Sequence, residues 1–175
     1  MRRWLAASPL MVLAVLAAMF GVYALRHDPH YIPAALVGQP MPQETLTPLG
    51  GGAPQMMSVV APPGTLINFF ASWCAPCQAE QPELMALKAQ GVRVVGVVAP
   101  WRFDVDATRG MLARTGDPYA ETLVDHDGKA VLDFGVSGVP ETFLVGPNGR
   151  NLAKTAEPLT PQSAEALLKH EAPAR

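Results

Sequence analysis

The chain contains two cysteines, Cys74 and Cys77, and only two residues separate them. An apolar run at residues 66–71 precedes the pair and predicts a buried strand, whereas residues 78–87 after it predict a helix. At such a strand-to-helix turn, backbone N–H groups and the positive end of the helix dipole stabilise a thiolate. Because the thiolate is the form of cysteine that attacks disulfides, the pattern predicts a redox-active disulfide between Cys74 and Cys77.

Three other roles for the pair fit the sequence less well. A zinc site needs two further ligands, but the four histidines are scattered without ligand spacing, so we expect no metal site. A purely structural disulfide across so short a loop removes little chain entropy from the unfolded state. Inert buried cysteines remain an alternative, although Trp73 before the pair and Pro76 within it favour a redox site.

The composition indicates one compact domain with an additional apolar segment. The chain has 175 residues, of which 49% are hydrophobic and 16% are charged. The formal net charge of −2 gives no reason to expect nucleic acid as a partner. Beyond the disulfide itself, the sequence predicts no cofactor.

The additional apolar segment is at the N-terminus, where residues 4–25 contain no charged side chain. At about 1.5 Å per residue, this stretch is long enough to cross a bilayer core of roughly 30 Å. Arg2 and Arg3 favour a cytoplasmic N-terminus, although Arg26 weakens that bias. We expect residues 1–25 to be a single transmembrane anchor, with a cleaved signal peptide as the alternative. In both cases the remaining chain is exported to an oxidising environment.

The exported part divides into a linker and a domain. Residues 26–42 are rich in proline and lack periodicity, which predicts a linker before a domain at 43–175. Prolines and three consecutive glycines between residues 40 and 63 favour turns and short edge strands over a helix.

Alternating strand and helix signals follow within the domain. Strands are predicted at 66–71, 92–99, 121–124 and 143–145, and helices at 78–87, 104–114 and 129–134. Asn148-Gly149 predicts a β-hairpin, and Thr160-Pro161 predicts the start of the last helix. The strand–helix–strand order predicts a parallel crossover. The expected fold class is therefore α/β, with a mixed central sheet flanked by helices.

Several motifs together resemble those of the thioredoxin superfamily. They are Trp73-Cys74-Ala75-Pro76-Cys77, Pro82, and Gly138-Val139-Pro140 before a predicted strand. More narrowly, the chain resembles the membrane-anchored thiol–disulfide reductases of cytochrome c maturation, the DsbE/CcmG type. That narrower resemblance is carried by Pro118-Tyr119-Ala120, the run from Gly135 to Phe143, and Pro158-Leu159-Thr160. It covers residues 36–168 and implies a thioredoxin-like fold preceded by a transmembrane helix.

The resemblance also implies a cellular role. It implies a single-pass protein of the bacterial inner membrane whose C-terminal domain lies in the periplasm. The dithiol would receive electrons from a DsbD-type membrane carrier and reduce the heme-attachment cysteines of apocytochrome c, directly or through a maturation partner. Two alternatives stay open: a general extracytoplasmic thiol reductase, and a copper chaperone that uses the two sulfurs as soft ligands.

The expected roles of the two cysteines follow from their order in the chain. Cys74 is expected to be the exposed nucleophile, because the helix carries the following residues inward, and Cys77 is expected to resolve the mixed disulfide. By resemblance, Pro140 is a cis-proline that faces the dithiol, and the backbone of Val139 pairs with an incoming peptide.

Two acidic residues, Glu80 and Glu141, are expected near the sulfurs. A carboxylate there disfavours the thiolate, raises the pKa of the cysteine and makes the couple a weaker oxidant. Asn68 stands six residues before Cys74, where many thioredoxins carry a buried aspartate. Because asparagine cannot take up a proton at neutral pH, we expect Glu80, Glu141 or a water that they hold to accept the proton of the resolving thiol.

Overall fold

The computed structural model describes residues 2–26 and 37–170, and the chain divides into two compact units, Met1–Pro33 and Ala34–Arg175. In the first unit, helix α1 spans Arg2–Arg26 and contains Pro9. Its described side chains are those of Pro9 and residues 11–22. Within the described part of the chain, no helix is long and apolar enough to cross a membrane. The helix expected at the N-terminus is present, and its role as a membrane span stays a prediction.

The second unit is built on one mixed sheet. Its described strands are β1 (Thr45–Pro48), β2 (Gln55–Met56), β3 (Leu66–Phe70), β4 (Val94–Val98), β5 (Glu121–Val124), β6 (Glu141–Val145) and β7 (Asn151–Thr155). They lie in the order β2-β1-β5-β4-β3-β6-β7. β4 runs parallel to both β3 and β5, and the other neighbours are antiparallel. The parallel crossover and the hairpin predicted from the sequence are confirmed.

Helices cover both faces of the sheet. They are α2 (Met57–Val60), α3 (Ala75–Ala79), α4 (Gln81–Ala89), α5 (Val105–Thr115), α6 (Lys129–Asp133) and α7 (Pro161–Lys169). Buried side chains such as Leu84, Met111 and Leu167 place α4, α5 and α7 on one face. Met57 and Val131 place α2 and α6 on the other. This arrangement confirms the predicted α/β class.

The central strand β3 is fully buried and contains one polar residue, Asn68. Every residue of β3 is buried, and its side chains alternate between the two faces. Leu66 and Phe70 pack on the face of α4, whereas Ile67 and Phe69 pack on the opposite face. Asn68 therefore lies on the α4 face, where its amide must be hydrogen-bonded to offset its loss of solvent.

Local signals set the starts of two helices, α5 and α7. The Asp104 side chain accepts the N–H of Ala107 at 2.7 Å and caps α5. At α7, Thr160 and Ser163 form a reciprocal capping box, with Pro161 as the first helical residue. Both helix starts agree with the sequence-based prediction.

The predicted linker at residues 26–42 extends too far. The N–H of Gly38 donates to the Asn151 carbonyl oxygen at 2.6 Å, and the N–H of Met41 donates to that of Gly149 at 2.8 Å. Met41 is also buried. Residues 38–41 thus belong to the folded domain, because backbone pairing beside β7 holds them there. Residues 27–36 of the predicted linker lie outside the described part of the chain.

The segment at residues 40–63 also contains a helix that the sequence did not predict. Its strands β1 and β2 form the expected edge of the sheet, but α2 follows them at once. The buried side chains of α2, Met57 and Val60, are three residues apart and therefore lie on the same side of a helical turn. Tertiary packing, rather than helix propensity, explains this short element.

Gly96 in β4 offers a test of how tightly the site-bearing face is packed. A Cβ at Gly96 would lie 2.8 Å from Cγ of Tyr119 and 2.9 Å from Cε1 of Phe70. We expect Gly96→Ala to lower the free energy of unfolding by about 1–3 kcal/mol, because the two rings must move. Urea unfolding of the oxidised protein measures the change.

Gly110 in α5 provides the matched control. A Cβ there would meet only the flexible end of Arg114, at 3.3 Å. Gly110→Ala should therefore raise the free energy of unfolding by up to about 1 kcal/mol through helix propensity. Equal stability of the two alanine variants would contradict the packing described here.

Candidate active site

A disulfide joins Cys74 and Cys77 where the turn after β3 enters α3, with their Cα atoms 5.2 Å apart. Cys74 is the N-cap of α3, and its Sγ accepts the backbone N–H of Cys77 at 3.1 Å. Such a donor stabilises negative charge on the first sulfur more than on the second. Pro76 occupies the first turn of α3, where a missing N–H costs no helical hydrogen bond.

The disulfide is less accessible than the sequence suggested. Cys77 is fully buried, and Cys74, expected to be exposed, has only 3% of its surface accessible. The carbonyl oxygen of Val139 lies 3.5 Å from Cys74 Sγ, so the loop before β6 covers the sulfur. Because a disulfide carries no S–H, this contact becomes a hydrogen bond only when Cys74 is a protonated thiol.

The covering loop has the backbone geometry that the resemblance implies. The peptide bond between Val139 and Pro140 is cis. Within the described residues, no backbone group pairs with the N–H or the carbonyl oxygen of Val139. An extended peptide can therefore add to this backbone directly beside Cys74.

Trp73 forms an exposed aromatic surface next to Cys74. Its side chain is 45% exposed, and its Nε1–H donates to the carbonyl oxygen of Trp101 at 2.7 Å. The guanidinium carbon of Arg102 lies 6.0 Å from the centre of the Trp73 ring. Trp101 and Arg102 were not among the site residues predicted from the sequence. They follow β4, whose carboxyl end lies at the same edge of the sheet as that of β3.

Asn68 is the centre of a buried hydrogen-bond network. Its Nδ2 donates to Glu80 Oε1 at 2.9 Å and to Thr142 Oγ1 at 3.0 Å. Its Oδ1 accepts the hydroxyl of Tyr119 at 2.8 Å. The other carboxyl oxygen of Glu80, Oε2, accepts the backbone N–H of Leu159 at 2.8 Å. These contacts fix the amide of Asn68 and the carboxyl group of Glu80 in one arrangement.

Glu80 has a perturbed pKa in this environment. Burial disfavours the charged form and raises the pKa from 4.5 to about 7, while the Leu159 N–H and the Asn68 amide partly oppose the rise. The side chain is 2% exposed. Glu80 stands three residues after Cys77, on the same side of the helical turn. Its carboxyl group can therefore exchange a proton near neutral pH on the disulfide's face of the sheet.

The network explains two motifs that the sequence analysis noted only as resemblances. Tyr119, from Pro118-Tyr119-Ala120, supplies the hydroxyl donor to Asn68. Burial raises the pKa of Tyr119 well above its usual value, so it stays a neutral donor. Leu159, from Pro158-Leu159-Thr160, supplies the backbone donor to Glu80.

Glu141 does not join this network. In the register of the sheet, Glu141 pairs with Phe69, and Thr142 pairs with Asn68. Because paired residues share a face and successive residues alternate, the Glu141 side chain lies on the face opposite to Asn68 and the disulfide. The expectation that both carboxylates lie beside the sulfurs is corrected: only Glu80 shares their face.

Glu141 is instead paired with a cation. Its Oε2 lies 2.8 Å from Nζ of Lys154, and both side chains are almost fully buried. Its Oε1 accepts the backbone N–H of Ser137 at 2.9 Å and also the hydroxyl of Ser137. These contacts connect Glu141 to the start of the loop that carries Val139.

The arrangement as a whole is suited to thiol–disulfide exchange. One sulfur receives a backbone donor, an unpaired backbone segment lies beside it, and a carboxyl group that titrates near neutral pH lies on the same face. Among the described residues, no group of three or more His, Cys, Asp or Glu side chains could hold a metal ion.

Comparisons with known proteins agree with this chemistry. The model of the Redoxin family matches residues 36–168. The thiol:disulfide interchange protein HelX of Rhodobacter capsulatus is 42% identical over 154 residues, covering 87% of this chain and 86% of its own. The thiol:disulfide interchange protein DsbE of Escherichia coli K12 is 37% identical over 175 residues, covering 97% of this chain and 94% of its own.

Solved structures show the same fold. A thio-disulfide isomerase from Thermus thermophilus matches with a TM-score of 0.62 and 27% identity, over 77% of this chain and 96% of its own. A secreted disulfide oxidoreductase of Mycobacterium tuberculosis matches with a TM-score of 0.63 at 23% identity, which establishes the likeness of fold alone. With its Cys74–Cys77 pair and thioredoxin-like fold, the chain belongs to the Redoxin family, among the thiol:disulfide interchange proteins of the DsbE and HelX type, and is a thiol-disulfide oxidoreductase.

Proposed function

We propose that this oxidoreductase is a periplasmic reductant in cytochrome c maturation. Its substrate is the oxidised pair of heme-attachment cysteines in apocytochrome c, reached directly or through a maturation partner. The observation that carries the direction of electron flow is the buried Glu80 on the face of the disulfide. A carboxylate there disfavours the thiolate and so makes the dithiol a better electron donor.

The first step is an attack on the partner. The thiolate of Cys74 attacks one sulfur of the partner disulfide, forming a bond between Cys74 and the partner and releasing the partner's second sulfur as a thiolate. The N–H of Cys77 stabilises the attacking charge. The unpaired backbone of Val139 holds the peptide around the disulfide as an added strand.

The second step resolves the mixed disulfide. Glu80 accepts the proton of Cys77, whose thiolate then attacks the sulfur of Cys74. The Cys74–Cys77 disulfide forms, the bond to the partner breaks, and the partner leaves with two more electrons, as two thiolates that take up one proton from Glu80 and one from water. Asn68 cannot accept a proton at neutral pH, so it positions Glu80 through its amide.

The cycle requires an electron donor on the same side of the membrane. A DsbD-type membrane carrier supplies two electrons to the Cys74–Cys77 disulfide by the same exchange in reverse. Because Cys77 is fully buried, the donor's thiolate attacks Cys74, which has the only accessible surface of the pair.

Trapping of the mixed disulfide tests the proposed substrate. The Cys77→Ser variant cannot resolve the bond between Cys74 and its partner, so apocytochrome c or its maturation partner should accumulate as a covalent adduct. Non-reducing electrophoresis of periplasmic extracts, followed by mass spectrometry of the adducts, identifies the partner. The Cys74→Ser variant, which lacks the nucleophile, is the control and should form no such adduct.

Two outcomes would contradict the assignment. Adducts with many unrelated exported proteins would indicate a general thiol reductase. Absence of any adduct, combined with tight copper binding by the reduced wild-type protein, would favour the copper-chaperone alternative.

We also propose that residues 1–25 anchor the protein in the bacterial inner membrane as a single span. The charge-free stretch at residues 4–25 and the preceding arginines support this proposal. Alkaline carbonate extraction of membranes should leave the protein in the pellet, because an apolar span is not released by high pH. Recovery of a shorter soluble form from the periplasm would instead show that the segment is a cleaved signal.

A further inference from the structure

Lys154 and Glu141 form a buried ion pair on the face of the sheet opposite the disulfide. Their side chains are 8% and 1% exposed, and Nζ of Lys154 lies 2.8 Å from Oε2 of Glu141. The same ammonium group donates to the carbonyl oxygen of Gly135 at 3.1 Å. On its other oxygen, Glu141 accepts both donors of Ser137. The pair thus holds residues 135 and 137 against strands β6 and β7.

Stability alone does not explain this pair. Desolvating two charges opposes folding, and well-packed apolar residues often replace a buried pair without loss of stability. Within the described chain, Oε2 of Glu141 has no hydrogen-bond donor, so its close contact with Lys154 is an ion pair of imperfect hydrogen-bond geometry. We therefore expect the ion pair to hold one backbone segment in place rather than to maximise the stability of the fold.

The constrained segment is the cis-proline loop, residues 135–140, which carries Val139 past the disulfide. A Cβ at Gly138, in the middle of the loop, would meet nothing within 4 Å among the described residues. Packing therefore does not hold Gly138 itself, whereas Val136 and Val139 on either side of it contact the core. The contacts of Ser137 with Glu141 close the loop over five residues, and the Lys154 contact fixes its start at Gly135.

We propose that Lys154 and Glu141 are positioning residues for substrate docking: they hold the cis-proline loop so that the Val139 backbone receives the extended peptide that flanks a substrate disulfide. The inference rests on the exchange reaction of the proposed function, but it applies to any peptide disulfide. The pair acts on peptide binding and leaves the redox chemistry of the sulfurs unchanged. Glu141 lies on the opposite face of the sheet, and the adjacent ammonium group neutralises its charge.

The test uses the full-length enzyme in steady-state reduction of a peptide disulfide, with excess glutathione as the recycling electron donor and its uncatalysed rate subtracted. A single turnover of the pre-reduced enzyme with a small disulfide is the comparison. The variants are Glu141→Gln, Lys154→Met and the double variant. The peptide is an extended chain whose two cysteines, separated by two residues, form a disulfide; the small disulfide is 5,5′-dithiobis(2-nitrobenzoate), which has no backbone to pair with Val139. For the peptide we expect KM to rise about tenfold with kcat within about twofold of wild type, the signature of weakened docking.

The small disulfide and the reduction potential separate docking from electrostatics. The rate with the small disulfide and the equilibrium with glutathione should match the wild-type values in every variant. A peptide KM equal to that of wild type would overturn the proposal. A shift of the reduction potential that accompanies the KM change would also overturn it, because Glu141 would then act on the sulfurs.

The double variant and one further variant, Lys129→Met, control for misfolding and for nonspecific effects of charge. The double variant leaves no unpaired buried charge, so it decides the question if either single variant fails to fold. Lys129→Met is the matched control, because it removes an exposed lysine that pairs with Glu44 and should leave the peptide KM unchanged. Failure of these expectations would not contradict the proposed cytochrome substrate, since trapping by Cys77→Ser tests that substrate separately.

Discussion

The carboxyl group of Glu80 lies out of solvent three residues after Cys77, and such a group must find hydrogen-bond donors within the protein. Its donors come from two distant segments, the Asn68 amide in β3 and the Leu159 N–H before α7. Asn68 is in turn held by Thr142 in β6 and by Tyr119 before β5. One buried carboxyl group therefore ties the strands of the central sheet to the helix that carries the disulfide.

This burial also links the chemistry of the site to the stability of the fold. Because the folded pKa of Glu80 is about 7 instead of 4.5, the folded protein binds the proton more tightly than the unfolded chain does. The contribution of Glu80 to stability is therefore fully present below about pH 4.5 and is lost as pH rises through about 7. The same desolvation that makes the carboxyl group a proton acceptor near neutral pH weakens the fold when that group ionises.

Local patterns in the sequence predicted the elements that carry the site. The apolar run of β3, the Asn148-Gly149 hairpin and the Thr160-Pro161 helix start each depend on neighbouring residues, and the structure confirms all three. The partners of the buried groups depend on contacts between distant residues. Thr142 lies 74 residues after Asn68, and Leu159 lies 79 residues after Glu80, so no local signal connects them. The side of the sheet on which Glu141 lies was predicted wrongly. It depends on the register between β3 and β6, which the sequence alone does not specify.

Two buried glutamates lie on opposite faces of the sheet, and we propose that both serve the same site. Glu80 has no cation among its described partners, so we propose that its charge acts on the dithiol, whereas the charge of Glu141 is neutralised by Lys154. The effect of the Glu80 charge on the dithiol is tested directly by the reduction potentials of the wild-type protein and of Glu80→Gln, measured by equilibration with glutathione at pH 7. The wild-type couple should lie nearer to thioredoxin, roughly −270 mV, than to a strong periplasmic oxidant, roughly −120 mV, and the variant should be less reducing by on the order of 30 mV. A wild-type potential above roughly −180 mV, that of protein disulfide isomerase, or equal potentials for the two proteins would contradict the account.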